Sequence, residues 1–151
     1  MKTISIKQPW ATLICSGIKD IENRTWKCPE KYIGKRVLIH ASGAKMNSLF
    51  NHLTKEQLEL THIKLGYEYD FDKVFTKSAI IGSVEIVDCI INHPSIWAEK
   101  TSFPDELDNK CTWNWVLANP ILFDKPILNV KGKLRFWNYD LPEEYKTILN
   151  L

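Results

Sequence analysis

A chain of 151 residues with 44% hydrophobic and 25% charged residues is long enough for one ordinary globular domain. At this size folding buries roughly 70% of the unfolded surface, so no disulfide or metal staple is required. The net charge of +2 excludes a strongly basic, non-specific nucleic-acid binder, but it is unevenly spread. Residues 1–45 carry nine Lys and Arg against Asp20, Glu22 and Glu30, and the remainder is net negative. Cys15, Cys28, Cys89 and Cys111 have no C-x-x-C spacing and no His pair nearby, so they read as core or boundary residues. No stretch is long and apolar enough to span a bilayer, and the absence of a signal-peptide pattern points to the reducing cytoplasm. No metal-ligand spacing, phosphate-binding glycine loop or cofactor motif occurs.

In chain order, "KTISI" alternates like a short strand. "PWATLICSG" is a helix begun by Pro9 and stopped by Gly17. "DIENRTW" is extended, "KCPEKYIG" is a loop, and "KRVLIHAS" is a strand with Val37, Ile39 and Ala41 on one face. From Asn47 to Gly66 the pattern is helical, with Leu49, Leu53, Leu60 and Ile63 at helical spacings and Thr54 with Gln57 as a capping box. An irregular link over 67–77 follows. "AIIGSVEIVDCII" is a buried strand in which Gly82 marks a bulge or a close approach. "HPSIWAEK" suggests one or two helical turns and "TSFPDELDNK" a loop. "CTWNWVLANPILF" is a strand interrupted at Asn119-Pro120, "ILNVKGKLRFWNYD" a final strand pair or bent strand, and "PEEYKTILN" a short helix. This order lacks regular crossover helices, which argues against a doubly wound parallel sheet and for an α+β small mixed barrel with helices packed on its outside.

The chemistry concentrates in residues 19–26. If they are extended, Asp20, Glu22, Arg24 and Trp26 share a face, with Lys19 at its mouth. A guanidinium grips phosphate and an indole stacks on a base; the bland alternative is a surface ion pair beside a half-buried Trp. Lys19 is a base or nucleophile if burial lowers its pKa, with Glu22 moving protons or holding it, or else merely a lysine at a helix end. His40 either donates to a ligand or is a satisfied strand imidazole, while His52, His62 and His93 read as solvent or loop residues. Trp113, Trp115 and Trp137 suit core packing. Lys131, Lys133 and Arg135 alternate as a basic stripe or a solvated face, and Glu85 lines a cavity or faces water.

"SIKQPWATLICSGIKDIENRTW", then "IGKRVLIHAS", "AIIGSVEIVDC" and "WNWVLANPILFDKPILNVKGKLRFWNYD", together resemble the activating signal co-integrator homology (ASCH) domain across nearly the whole chain. The Gln-Pro-Trp-Ala and Gly-x-Lys-x-x-Glu-x-Arg-x-Trp elements carry the resemblance, and residues 43–78 are unfamiliar enough to be a helical insertion. The resemblance implies one PUA-like domain over 1–151 with a cleft beside the first helix. It places motif positions on Gln8, Trp10, Lys19, Glu22, Arg24, Trp26 and His40. The implied partner is RNA or a nucleotide-like small molecule: Lys7, Lys19 and Arg24 would meet phosphate, Trp10 or Trp26 would stack a base, and Gln8, Glu22 and His40 would read polar edges. Some ASCH-like proteins are amidohydrolases acting on acetylated cytidine, with a Lys after the helix-ending Gly, a Thr three residues on and a later Glu. This chain keeps Lys19 but has Glu22 where the Thr would fall, which removes the obvious acyl-transfer nucleophile. The later Glu has no clear match, Glu99 lying in roughly that region. An enzyme acting on an acylated nucleoside or on RNA, with Lys19 and Glu22 as catalytic pair, is the rival to a binding module; a protein-interaction role for 47–78 is a third.

Overall fold

The computed structural model describes residues 1–46 and 48–151. Six strands form one curled half-barrel sheet. They are β1 (Lys2–Ile6), β2 (Ile21–Arg24), β3 (Lys35–Ala41), β4 (Ala79–Ile90), β5 (Trp113–Ile127) and β6 (Phe136–Asn138), in the order β2-β5-β4-β3-β1-β6. Only β1 and β3 run parallel; the other neighbours are antiparallel. Five α-helices accompany them: α1 (Trp10–Cys15), α2 (Lys55–Leu65), α3 (Phe71–Val74), α4 (Phe103–Leu107) and α5 (Glu143–Ile148). The architecture is α+β and PUA-like.

Strand alternation divides the core. Val37, Ile39 and Ala41 of β3 join Ile4, Ile6, Val84, Ile86, Trp115 and the buried side of α1. Leu38 points the other way, to Ile80, Phe123, Trp137 and the α5 residues Tyr145 and Leu149. Helices therefore cover both faces. Gly82 is a close approach: a Cβ there would lie 2.1 Å from the Ile121 carbonyl oxygen of β5. All four cysteines are unpaired, three of them buried; desolvation pushes the Cys28 thiol up to about 12 and also raises Cys15 and Cys89.

Several expectations are corrected. The helix expected from Asn47 begins at Lys55, where Thr54 and Gln57 do form a capping box; before it Leu49–Asn51 make a 3-10 turn, and Asn47 lies outside the described residues. Its expected apolar stripe is not buried as a unit, since Leu60 and Ile63 are exposed. The link over 67–77 contains α3, because Asp70 caps the Lys73 N–H, and the loop over 101–110 contains α4, begun by Ser102 with Pro104 in its first turn. Residues 93–100 form no helix but a turn closed from Ala98 N–H to the Ser95 carbonyl. Strand β5 continues through Asn119-Pro120 because Asn119 accepts φ +49° and the pairing with β4 shifts register instead of ending. Residues 128–135 form no strand, so Lys131, Lys133 and Arg135 do not alternate along one. Among the described residues no helix is long and apolar enough to cross a membrane.

Candidate functional site

The site starts at the end of α1. Gly17 takes φ +77°, which lets the Leu13 carbonyl accept from both Ile18 N–H and Lys19 N–H at 3.0 Å and turns the chain into β2. Lys19 thereby lies 5.4 Å from the centroid of the Trp10 ring and is 4% exposed. Its ammonium donates to the Ile21 carbonyl and sits 3.9 Å from Glu22 Oε2. Burial lowers its pKa; Glu22, Glu99 and Asp20 oppose the shift and Arg24 adds to it.

Glu22 and Arg24, two residues apart on β2, point to one side as the period of a strand requires. Arg24 Nε is 2.8 Å from Glu22 Oε1, yet it has no aligned hydrogen-bond partner, so this contact is a charge pair rather than a directed bond. Arg24 is oriented by a 2.8 Å donation from its NH2 group to the Ser5 carbonyl. One carboxylate thus serves both cations.

Two cavities meet at this carboxylate, sharing Trp10, Glu22 and Asn23. The first, about 290 Å³, is closed by Lys19, Trp97 and Glu99 and by His52, Thr54 and Gln57 from the segment between β3 and β4. The second, about 380 Å³, is basic: Lys7, Arg24, Lys133 and Arg135 surround it, with Glu22 the one acid in its lining. Asn23 builds the first cavity. Its Nδ2 donates to the Trp97 carbonyl at 2.9 Å and its Oδ1 accepts from Glu99 N–H and Asn114 Nδ2, which fastens residues 97–99 over β2. Gln57 donates to the Ile96 carbonyl at 2.8 Å, and His52 meets the Trp10 ring edge-on at 6.0 Å. A larger apolar cavity of about 590 Å³ near Leu65, Val74 and Phe123 lies apart from these charges.

Of the residues singled out in the sequence, the structure brings together Lys7, Trp10, Lys19, Glu22 and Arg24, and places Gln8, Trp26 and His40 outside both cavities. Gln8 is buried with both amide ends used: Nε2 donates to Thr12 Oγ1 and the Thr76 carbonyl, and Oε1 accepts from Thr12 N–H. Trp26 is half-buried against Trp115 and Phe136, with the Arg135 guanidinium 4.7 Å from its ring centroid, because β2 ends at Arg24 and the expected alternation does not reach it. Asp20 likewise leaves the shared face to accept from Ser95 Oγ at 2.6 Å. His40 is 1% exposed on the Leu38 side of β3, beside Trp137. Its Nε2 is 2.7 Å from the Val130 carbonyl, which can only accept, and its Nδ1 is 3.1 Å from Ser5 Oγ. Glu85 pairs with Arg36 at 3.1 Å instead of lining the cleft. Among the described residues no cluster of three or more His, Cys, Asp or Glu is placed to hold a metal ion.

The profile of the ASCH domain matches residues 4–127. This chain belongs to the ASCH domain family. It is 27% identical over 141 residues to "Activating signal cointegrator 1" of Homo sapiens, and 26% identical over 141 residues to the Mus musculus protein. Those alignments cover 91% of the chain but 22% of either relative, so the chain spans about a fifth of their length. Among solved structures, ASCH from Zymomonas mobilis superimposes with a TM-score of 0.53 at 15% identity, covering 99% of this chain and 94% of that one. A serine-to-alanine variant of the same bacterial protein gives 0.54 at 13% identity with the same coverage, a likeness of fold. The ASCH family is associated with RNA binding.

What the ASCH motif did not indicate is the upper half of the first cavity. Asn23 lies within the Gly-x-Lys-x-x-Glu-x-Arg-x-Trp element at a position that the motif leaves open. Trp97 and Gln57 come from a turn and a helix distant in the chain, exposed His52 directly follows the 3-10 turn, and for Glu99 the resemblance offers only the rough region of a later Glu. Only the Thr54–Gln57 capping box gave a local signal near any of them.

Proposed function

We propose that this ASCH domain holds a nucleotide, as a free molecule or as part of a short RNA strand, with the base in the indole-lined cavity and the phosphate in the basic one. The observation that carries this reading is the division of charge about Glu22. On one side stand Trp10, Trp97, Lys19 and Glu99; on the other, Lys7, Arg24, Lys133 and Arg135. A nucleotide has the same division, an aromatic ring bearing hydrogen-bonding edges at one end and an anion at the other. Stacking on an indole contributes about 1–3 kcal/mol per base, and Arg24 offers the planar fork that suits phosphate oxygens. A cleft of this size fits one or two nucleotides better than a duplex, in keeping with the modest net charge. The test is calorimetric titration with a nucleoside and its 5′-monophosphate. Tighter binding of the monophosphate, with the advantage lost in Arg24→Ala, supports the reading. Equal binding of the two, or none, overturns it.

One observation favours a second reading. Lys19, its pKa lowered by burial, shares a cavity with Glu22 and Glu99, an arrangement able to pass a proton at a nucleoside amide. Against it, position 22 carries no hydroxyl, and the ammonium is already held by a carboxylate and a carbonyl. Incubation with acetylcytidine and with short RNA, with and without divalent metal, separates the two. Product formation abolished by Lys19→Ala makes the protein an enzyme; binding without turnover leaves it a binding module.

A further inference from the structure

The side chains that would first be taken as base readers are already committed. Asn23 uses both ends of its amide on the 97–99 loop and Asn114, and Gln57 uses its own on the Ile96 carbonyl and Thr54 N–H. Three charged groups keep valences directed at the indole-lined cavity. Glu22 is 8% exposed and spends Oε1 on Arg24; Oε2 has nothing closer among the described residues than the Lys19 ammonium at 3.9 Å. The Glu99 carboxylate has no hydrogen bond or salt bridge among the described residues. The Lys19 ammonium has given one of its three donors to Ile21. The charged groups of the cavity therefore offer two acceptors beside one donor.

That pattern has a complement among the bases. Cytosine presents an exocyclic amino donor next to the N3 acceptor, and adenine presents N6–H₂ next to N1. Uracil and hypoxanthine present a carbonyl oxygen where the amino group stands, which would face a carboxylate with no proton between them. We infer that this cavity selects cytosine or adenine rings over their oxo counterparts, with the amino group toward Glu22 and Glu99 and the ring nitrogen toward Lys19. The inference rests on the nucleotide reading above and adds the identity of the base edge.

The experiment is a titration of the full chain with two matched pairs, CMP against UMP and AMP against IMP, repeated on Glu99→Gln and Glu22→Gln. Glu99 is exposed and makes no side-chain contact that supports the fold, so its variant keeps the test usable if Glu22→Gln unfolds. The expected result is about tenfold or more tighter binding of the amino member of each pair, the discrimination of one well-formed base contact. That ratio should shrink in Glu99→Gln, where one acceptor oxygen becomes a donor. Equal affinities within each pair overturn the inference and leave the nucleotide reading standing. A preference unchanged in both variants overturns the assignment to these carboxylates. Failure of all four nucleotides to bind withdraws the nucleotide reading, and this inference with it.

Discussion

Two buried polar clusters lie on opposite sides of the same sheet, and both drew attention in the sequence. Around His40, every strong valence is answered: one ring nitrogen meets the Val130 carbonyl, the other the Ser5 hydroxyl, and Trp137 Nε1 donates to that same hydroxyl at 3.3 Å. Around Lys19, Glu22 and Arg24 one carboxylate serves two cations, and carboxylate oxygens and ammonium protons are left over beside a cavity. Burial of a polar residue thus does not by itself point to a ligand. Leftover hydrogen-bonding capacity that faces empty space does. The first cluster is structural on this criterion, and the second is the one that the proposed nucleotide site uses.

The contrast can be broken most forcefully at Glu22. Glu22→Leu strands two cations, Lys19 nearly fully buried and Arg24 with a side chain 22% exposed, and should cost about 3–5 kcal/mol of folding stability by urea denaturation. A loss below about 1 kcal/mol, the range of a surface pair, would mean the three charges are not coupled. On the other side of the sheet, a Cβ at Gly132 would lie 2.7 Å from His40 Cε1 and 2.8 Å from Ser5 Oγ. Gly132→Ala should cost about 1–3 kcal/mol, the penalty of overpacking; a neutral result would show that the His40 cluster is loose rather than closed.

A smaller effect distinguishes the clusters through pH. Burial holds the His40 imidazole below its ordinary value of 6.5, its bond to Val130 opposing only in part. As pH falls below about 6.5 the unfolded chain takes up a proton that the folded ring resists, so stability declines with a limiting slope of about 1.4 kcal/mol per pH unit. The difference between wild type and His40→Asn in urea stability should therefore change as the pH falls below about 6.5; parallel profiles would contradict it. The smallest effect belongs to the rim of the cleft. Exposed Lys7 should contribute one phosphate contact, so Lys7→Ala should weaken binding of a short RNA while lowering the slope of log affinity against log salt by about 0.7. An unchanged slope would remove Lys7 from the interface.

Much of this was written locally. Pro9 and Gly17 bracket α1, alternation gives β1 and β3, and the spacing of Lys19, Glu22 and Arg24 foretells their convergence, because helix stop and strand period are short-range properties. The elements that depart from local expectation share a different cause. Strand β5 persists through Asn119-Pro120 because pairing with β4 overrides the local turn signal, and Trp26 packs half-buried against the core because Trp115 and Phe136, from distant segments, meet it there. Trp97 and Glu99 reach the cavity through Asn23 and Asn114, a contact across ninety-odd positions of chain that no periodicity records.

The anchoring of the segment between β3 and β4 has a consequence for how such a domain could diversify. Its far end is stitched to α1 and the residues just before it by two donations, Gln8 Nε2 to the Thr76 carbonyl and Thr12 Oγ1 to the Val74 carbonyl, and these bonds address backbone rather than side chains. Almost any sequence could be fastened there in the same way. His52, Thr54 and Gln57 thus line the first cavity from a segment held by its backbone, so their side chains could change without loosening that anchor.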